Sequence, residues 1–253
     1  ESPPLYHAGS ILFGTQDGTL YRLDAKQGRE IWHFKTEGKI IGSANISHAD
    51  PSSPRVVFGS HDSFLYCLEF LSGKLIWKYQ SENFINGTPA CGGNIIAFGG
   101  CDARLHILNE SDGSLIQAVE LGSYIAGSVA LDFPRAYLGH YGHRFVCVDL
   151  EKKRIEWEYH QLEFPFFSSP AIHQGLVVFG GRDRMLHAVD QLTGESRWFY
   201  RHRGKFDASP VICGDKVVAV ATDGLLGVFD LSTGEELWST TLTGPTSASA
   251  AVS

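Results

Sequence analysis

One segment returns six times along this chain of 253 residues. It reads DAKQGREIW from Asp24, EFLSGKLIW from Glu69, NESDGSLIQ from Asn109, DLEKKRIEW from Asp149, DQLTGESRW from Asp190 and DLSTGEELW from Asp230. Its last position is Trp32, Trp77, Gln117, Trp157, Trp198 and Trp238, at steps of 45, 40, 40, 41 and 40 residues. All five tryptophans of the protein stand in this column. A period near 40 residues constrains the fold more than any local propensity, because each unit must then be one supersecondary element stacked on its neighbours.

Each unit divides into four short strand-like pieces. The first is rich in small residues: GSANI from Gly42, GTPAC from Gly87, GSVAL from Gly127, SSPAI from Ser168, ASPVI from Ala208 and ASAAV from Ala248. The second is apolar and ends in glycine or a small residue, as in ILFG at 11–14, VVFG at 56–59, IAFG at 96–99, AYLG at 136–139, VVFG at 177–180 and VAVA at 218–221. The third alternates, as in LYRLD at 20–24 and LHAVD at 186–190, and the fourth carries the tryptophan column. Period-2 alternation bounded by Gly, Asp, Asn and Ser reads as strands joined by hairpins. Gly28, Gly73, Gly113, Gly194 and Gly234 share one turn column, from which Lys153 departs. Lys153 must then take up a glycine conformation, or the turn differs there. Aspartates 17, 62, 102, 183 and 223 recur in the turns between the second and third pieces, where Asp bonds to its own backbone.

Four antiparallel strands every ~40 residues is the arithmetic of a β-propeller blade. The expected fold is therefore all-β: a propeller of four-stranded antiparallel blades, six in number, or else part of a seven- or eight-bladed ring. Small residues in the first piece suit the crowded innermost strand, and the tryptophan suits an outermost strand that packs on the next blade. A helical solenoid is excluded by the period-2 pattern. The whole of 1–253 is expected to be one propeller domain, with 247–253 closing the ring beside the N-terminal strand and so removing exposed edges. The longer turn SHADPSSP at 47–54 accounts for the 45-residue step.

Net charge is −7 without a basic block, which argues against nucleic acid as a partner. No apolar run approaches ~18 residues, so the chain is not read as membrane-spanning. No targeting segment is read at Glu1, and the compartment is not legible from that terminus. Cys67, Cys91, Cys101, Cys147 and Cys213 are odd in number, widely spaced and placed largely in strand columns. They read as free, buried side chains, which favours a reducing compartment.

The pattern D-x3-G-x3-W, then S-P-A, then V-x-F-G-x-x-D-G resembles the PQQ-like repeat over essentially the whole chain. That repeat is the blade unit of quinoprotein dehydrogenases and of the assembly lipoprotein of the Bam complex. The resemblance implies an extracytoplasmic location and makes Trp32, Trp77, Trp157, Trp198 and Trp238 blade-docking residues rather than a cofactor box. It also raises pyrroloquinoline quinone and calcium as cofactors. Family dehydrogenases, however, hold the quinone beside adjacent cysteines in a ring of about eight blades. This chain has no Cys-Cys pair.

A ligand or partner site is expected among residues that break the repeat's uniformity at the mouth of the central channel. The positions two and four before the small Ser or Thr of each first piece are Lys39 and Ile41, Phe84 and Asn86, Tyr124 and Ala126, Pro165 and Phe167, Lys205 and Asp207, and Pro245 and Ser247. The turns between second and third pieces add His61, Cys101, His140, Tyr141, His143, Arg182 and Arg184. Phe84, Tyr124, Phe164, Phe166, Phe167 and Phe206 either cap the core under the loops or form an exposed rim that docks a peptide. His140 and His143 form an H-x-x-H that lacks a third ligand. No Ser-His-Asp order, phosphate loop or paired carboxylate set is present. The expected function is a non-catalytic scaffold or protein-interaction module, either a monomer or one domain of a larger protein. The alternatives are a quinoprotein-like oxidoreductase and a small-ligand sensor that uses the channel mouth.

Overall fold

The computed structural model describes residues 2–47, 52–161 and 163–251. Residues 48–51 of the turn 47–54 and the last two residues of 247–253 lie outside the described residues. The described residues form 24 strands and no helix, in six antiparallel sheets of four. The chain divides into two compact units, Glu1–Phe133 and Pro134–Ser253.

In the first unit, sheet one is β1 (Leu5–His7), β2 (Ser10–Gly14), β3 (Thr19–Asp24) and β4 (Glu30–Lys35). Sheet two is β5 (Asn45–Ser47), β6 (Arg55–Gly59), β7 (Phe64–Glu69) and β8 (Leu75–Gln80). Sheet three is β9 (Ala90–Gly92), β10 (Ile95–Gly99), β11 (Arg104–Asn109) and β12 (Leu115–Glu120). Sheet four comprises β13 (Ala130–Asp132), β14 (Arg135–His140), β15 (Arg144–Asp149) and β16 (Arg154–Tyr159). Sheet five, in the second unit, is β17 (Ala171–His173), β18 (Leu176–Gly180), β19 (Met185–Asp190) and β20 (Ser196–Arg201). Sheet six is β21 (Val211–Cys213), β22 (Lys216–Val220), β23 (Leu225–Asp230) and β24 (Glu236–Thr241).

Every sheet is a meander in which chain neighbours pair. First strands of successive sheets lie against one another, β5 on β9 in the first unit and β17 on β21 in the second. The sheets therefore stand as propeller blades, with the small-residue strand innermost. The crowding is literal: a Cβ on Gly87 would lie 2.4 Å from the Gly127 carbonyl oxygen. The innermost strands are also stitched by hydroxyls one repeat apart. The Ser43 N–H donates to Thr88 Oγ1 (3.0 Å), and the Thr88 N–H to Ser128 Oγ (2.9 Å). In the second unit the Ser169 N–H donates to Ser209 Oγ (2.9 Å), and the Ser209 N–H to Ser249 Oγ (2.9 Å).

The third and fourth strands of all six sheets share one bulge. In sheet one Arg22 pairs with Trp32 and Leu23 with Glu30, so Ile31 is the extra residue. The same slip occurs at Cys67/Leu68, Ile107/Leu108, Cys147/Val148, Ala188/Val189 and Val228/Phe229. A bulge shifts the side-chain alternation. Here it falls immediately before the tryptophan column.

The indole then lands on the next sheet's turn. A Cβ on Gly73, Gly113, Gly194 or Gly234 would lie 2.5–2.7 Å from the ring of Trp32, Trp77, Trp157 or Trp198 respectively. The Nε1–H of Trp32 donates to the Phe70 carbonyl (3.0 Å), that of Trp157 to Gln191 (3.3 Å) and that of Trp198 to Leu231 (2.8 Å). These four glycines have φ between +70° and +73°, so both conformation and space exclude a side chain. Lys153 keeps the same left-handed conformation, φ +59°, without a glycine's freedom. Trp238 departs from the docking role expected of the column: it is 53% exposed, whereas Trp32, Trp157 and Trp198 are 8–9% exposed.

A second column works inward. A Cβ at Gly14, Gly59 or Gly99 would lie 2.2 Å from Cγ2 of Ile40, Ile85 or Ile125, and at Gly139 and Gly180 it would meet Phe166 and Phe206. Sheet six corrects the alignment drawn from sequence. Val220 pairs with Leu226 as Gly180 pairs with Leu186, so Val220, not Ala221, occupies the glycine place. Thr246 stands one repeat after Phe206. The innermost place in sheet one is filled by β1, and the described part of 247–253 forms no strand.

The octet aspartates fold their turns. Asp190 Oδ1 accepts the N–H groups of Leu192 and Thr193 (both 2.9 Å), and Asp230 Oδ1 those of Ser232 and Thr233 (both 2.9 Å). Asp24 and Asp149 repeat the pattern.

Two predictions follow from these contacts. Gly194→Ala is expected to cost about 2–3 kcal/mol through left-handed strain plus displacement of Trp157. Gly122→Ala, at φ +74° with open space before it, should cost about 1 kcal/mol. Urea unfolding of the two variants measures the difference. The Arg197 guanidinium and the turn amides hold the Asp190 carboxyl at about 2, and Asp149 and Asp230 are lowered too. Because the folded values lie below the unfolded ones, this stability is complete above pH ~4 and is lost as pH falls toward ~2. Thermal midpoints from pH 5 to 2 should show that loss, and Asp190→Asn should flatten it.

Candidate functional site

The connections between sheets lie on the turns between second and third strands. The His61 N–H donates to the Lys39 carbonyl (2.8 Å), Cys101 to Phe84 (2.9 Å), Arg182 to Pro165 (3.3 Å) and Thr222 to Lys205 (2.8 Å). The residues selected by repeat-breaking are thereby brought onto shared surfaces, one within each unit.

In the first unit His61, Phe84, Asn86 and Cys101 form one patch. The imidazole of His61 stacks on Phe84 with centroids 4.9 Å apart and planes 4° apart. Its Nε2 is 2.6 Å from Asn86 Oδ1, and Asn86 Nδ2 donates to Cys101 Sγ at 3.1 Å. Phe84 remains 48% exposed and Tyr124, one connection further on, 57% exposed. The side chain of Lys39 is exposed, and only its backbone joins the patch.

In the second unit the patch is Tyr141, Phe167, Arg182 and Asp207. The Tyr141 ring lies 4.4 Å from Phe167, and the Arg182 guanidinium sits over Phe167 at 4.2 Å. Arg182 donates from Nε and Nη2 to the two carboxylate oxygens of Asp207 at 3.0 and 3.1 Å. This forked pair fixes the guanidinium plane against the ring. Lys205 is exposed, and its N–H takes Thr222 Oγ1 at 3.0 Å.

The aromatic run therefore splits between its two readings. Phe166 and Phe206 are core, each 1% exposed beside the inner glycine column. Phe84, Tyr124 and Phe164 are exposed, and Phe167 is half-buried. His140 is buried, accepts the Gly142 N–H on Nδ1 at 3.0 Å and has its pKa pushed down by burial. His143 instead faces Glu163 at 3.5 Å. No group of three or more His, Cys, Asp or Glu among the described residues is placed to hold a metal ion.

The turn aspartates do more than sequence reasoning assigned to them. Asp102 lies 2.8 Å from His106 Nε2, and His106 Nδ1 lies 3.1 Å from the Tyr79 hydroxyl on the preceding sheet. In the second unit Asp183 lies 2.9 Å from His187 Nε2, and His187 Nδ1 lies 3.0 Å from the Tyr159 hydroxyl. Asp62 instead accepts the Tyr66 hydroxyl at 2.7 Å. The signal was legible as D-x3-[HY], an aspartate four residues before a third-strand position. The geometry resembles a catalytic relay but ends on a tyrosine, half-buried at Tyr79 and buried at Tyr159.

The five cysteines are free. Burial pushes Cys67 and Cys147 up to about 12, and Cys91 and Cys101 also upward. These four are held as thiols, unsuited to nucleophilic or metal-binding roles. A quinone–calcium centre needs unengaged carboxylates, but those of these loops are taken up: Asp62 by Tyr66, Asp102 by His106, Asp183 by His187, Asp207 by Arg182 and Asp223 by His202 and Arg203. The residues present do not fit such a centre. A cavity of about 330 Å³ lies in the first unit, lined by Ile46, Cys91, Gly92, Gly93, Asn94 and Glu110, away from both patches.

A family model described as outer membrane protein assembly factor BamB matches residues 16–116 and again residues 101–252. The chain belongs to this family. No curated protein matches the sequence significantly. Among solved structures, BamB from Moraxella catarrhalis superimposes with a TM-score of 0.80 at 19% identity, over 96% of this chain and 76% of that one. The computationally designed Ika8 protein gives 0.72 at 15% identity, over 97% of this chain and 88% of that one. At these identities the likeness establishes the β-propeller fold. No helix of the described residues is long and apolar enough to cross a membrane.

The buried relay yields a prediction. His187→Leu leaves Asp183 buried without its partner and should cost about 3 kcal/mol, whereas Tyr159→Phe should cost about 1 kcal/mol. Urea unfolding of both and of the double variant should give less than the sum, because Tyr159 and His187 share one bond.

Proposed function

We propose that this chain is a non-catalytic propeller module that docks another protein through the patches on its inter-sheet connections. Its family's description, an outer membrane protein assembly factor, is the biological setting that suits this reading, and it supports a location outside the cytoplasm. The observation that carries the reading is the contrast within single loops. Polar groups are spent on the fold, while Phe84 remains exposed against the His61 ring, Tyr141 remains exposed against the Phe167 ring that carries Arg182, and Tyr124 is exposed one connection beyond Phe84. Aromatic and arginine side chains held rigid by neighbours are the composition of protein-binding hot spots, since little conformational entropy is lost on docking. The occupant that suits both patches is a peptide or loop presenting apolar side chains, with an acidic group near Lys39 or Lys205.

The quinoprotein reading rests on the repeat alone, and no observation favours it. No observation at the patches favours the sensor reading.

A photo-crosslinking amino acid placed at Phe84 and at Phe167 in the native cell tests the proposal. Adducts to a discrete protein are expected at both positions and not at Leu71, an exposed residue on a turn between third and fourth strands. Absence of protein adducts at 84 and 167, or equal labelling at 71, would overturn it. So would a rise in thermal midpoint with quinone and calcium accompanied by dye reduction.

A further inference from the structure

We propose that the cavity between the inner ends of sheets two and three binds a primary ammonium group on a short aliphatic stem, with the Glu110 carboxylate as its counter-ion.

Glu110 is an exception within its own repeat. It is the second residue of its octet, where the other copies carry Ala25, Phe70, Leu150, Gln191 and Leu231. Phe70 and Leu231 are each 2% exposed there and belong to the cores between sheets. Glu110 is buried nearly as deeply, at 4%, but brings a carboxylate. Its hydrogen bonds are made by the backbone: the N–H donates to the Asn94 carbonyl (3.0 Å), and the carbonyl accepts Arg55 Nη1 (3.3 Å). Arg55 is the cation placed to pair with the acid, yet its Nη1 is committed to the carbonyls of Glu110 and, at 2.7 Å, Ser111. Among the described residues no donor or cation reaches the carboxylate itself. A buried acid in that condition destabilises the fold unless something supplies the missing donor.

What the carboxylate meets is space. The cavity of about 330 Å³ is lined by Ile46, Cys91, Gly92, Gly93, Asn94 and Glu110. Small-molecule sites run from about 300 to 1,000 Å³, so this one suits a short ligand. Its walls divide by chemistry. Ile46 and Cys91, the latter held as a neutral thiol by burial, offer apolar surface to methylene groups. The turn from β9 to β10 contributes Gly92 and Gly93, which put no side chain into the space, and Asn94, whose exposed amide carries a second acceptor. An ammonium has three donors and no acceptor, which matches a wall of acceptors. An anion would be repelled by the carboxylate, and a neutral alcohol would leave its charge uncompensated. No group of three or more His, Cys, Asp or Glu among the described residues is placed to hold a metal ion, which favours an organic cation. The cavity lies away from both aromatic patches, so this site is separate from the docking surface proposed above.

An NMR titration of the isotope-labelled chain with n-butylammonium, at fixed ionic strength, decides the matter. The amide signals of Gly92, Gly93 and Asn94 are expected to shift saturably, and n-butanol and butyrate should leave them in place. Glu110→Gln keeps the shape, removes the charge and should weaken binding by about tenfold or more. Glu110→Leu introduces the residue that Leu150 and Leu231 provide at this position. It should abolish the response and raise the thermal midpoint by about 2–4 °C, because an unpaired buried acid is gone. Nα-acetyl-lysine methylamide separates the two sources of the ammonium. It should bind as n-butylammonium does if the group belongs to a lysine side chain, and fail to bind if the site takes a free amine. The proposal is overturned if n-butylammonium gives no saturable shift, if n-butanol shifts the same signals equally, or if the response survives in Glu110→Gln. A lowered midpoint in Glu110→Leu would also overturn it, since the fold itself would then be holding the carboxylate.

Discussion

The contact between an indole and a turn glycine governs the arrangement of these sheets. A tryptophan ring needs a flat, empty partner, and a glycine held at φ near +70° supplies one. The contact is set up by two devices that act at a distance from it. The bulge before each fourth-strand tryptophan turns the ring toward the next sheet, and the octet aspartate closes the turn that presents the glycine. Removing either would leave the residues intact and the contact unmade. This explains why Asp, Gly and Trp travel together in the sequence while the residues between them vary.

Beneath that contact, successive sheets are joined by chemistry that differs from repeat to repeat at fixed positions. The fourth-strand aromatic is Phe34, Tyr79, Tyr159 or Tyr200, and its partner on the next sheet is Tyr66, His106, His187 or Phe229. Where the partner is histidine, an aspartate four residues earlier anchors it. In sheet six Gly227 occupies that place, and Asp223 turns instead to His202 from the connection after sheet five. The aspartate is kept in each of these cases because it also accepts a backbone N–H two residues on, as Asp62, Asp102 and Asp183 do. One residue thus serves the turn and the interface.

The legibility of the sequence follows from the same division of labour. Strands, sheet order and the placement of small residues innermost were readable, because period and alternation are set by backbone geometry that every repeat shares. The grouping of Tyr141, Phe167, Arg182 and Asp207 was readable only as loop positions. Their stacking and forked ion pair depend on how a connection lies across a turn some 15 to 25 residues away in the chain. The D-x3-H relays were missed because the aspartates were assigned to turn formation, and that role is real. Trp238 shares the column of the docked indoles and yet is exposed, because a sequence column records what a residue is suited to contact and not what it meets.

That distinction bears on how a repeat chain of this kind maintains solubility. The face made of Val218, Leu226, Val228 and Trp238 matches in register Val178, Leu186, Ala188 and Trp198, which belong to the core between sheets five and six. On sheet one the complementary features are likewise open: Gly28, at φ +66°, has nothing within 4 Å of where a Cβ would stand, and Phe13 and Tyr21 stack on each other while half-buried. Each repeat is therefore built as a donor on one side and an acceptor on the other. Internal contacts use up both sides only where a neighbour exists. A terminal repeat of an array normally carries a polar outer face. Sheet six carries tryptophan and valine there, at the register where sheet five buries Trp198, Val178 and Ala188.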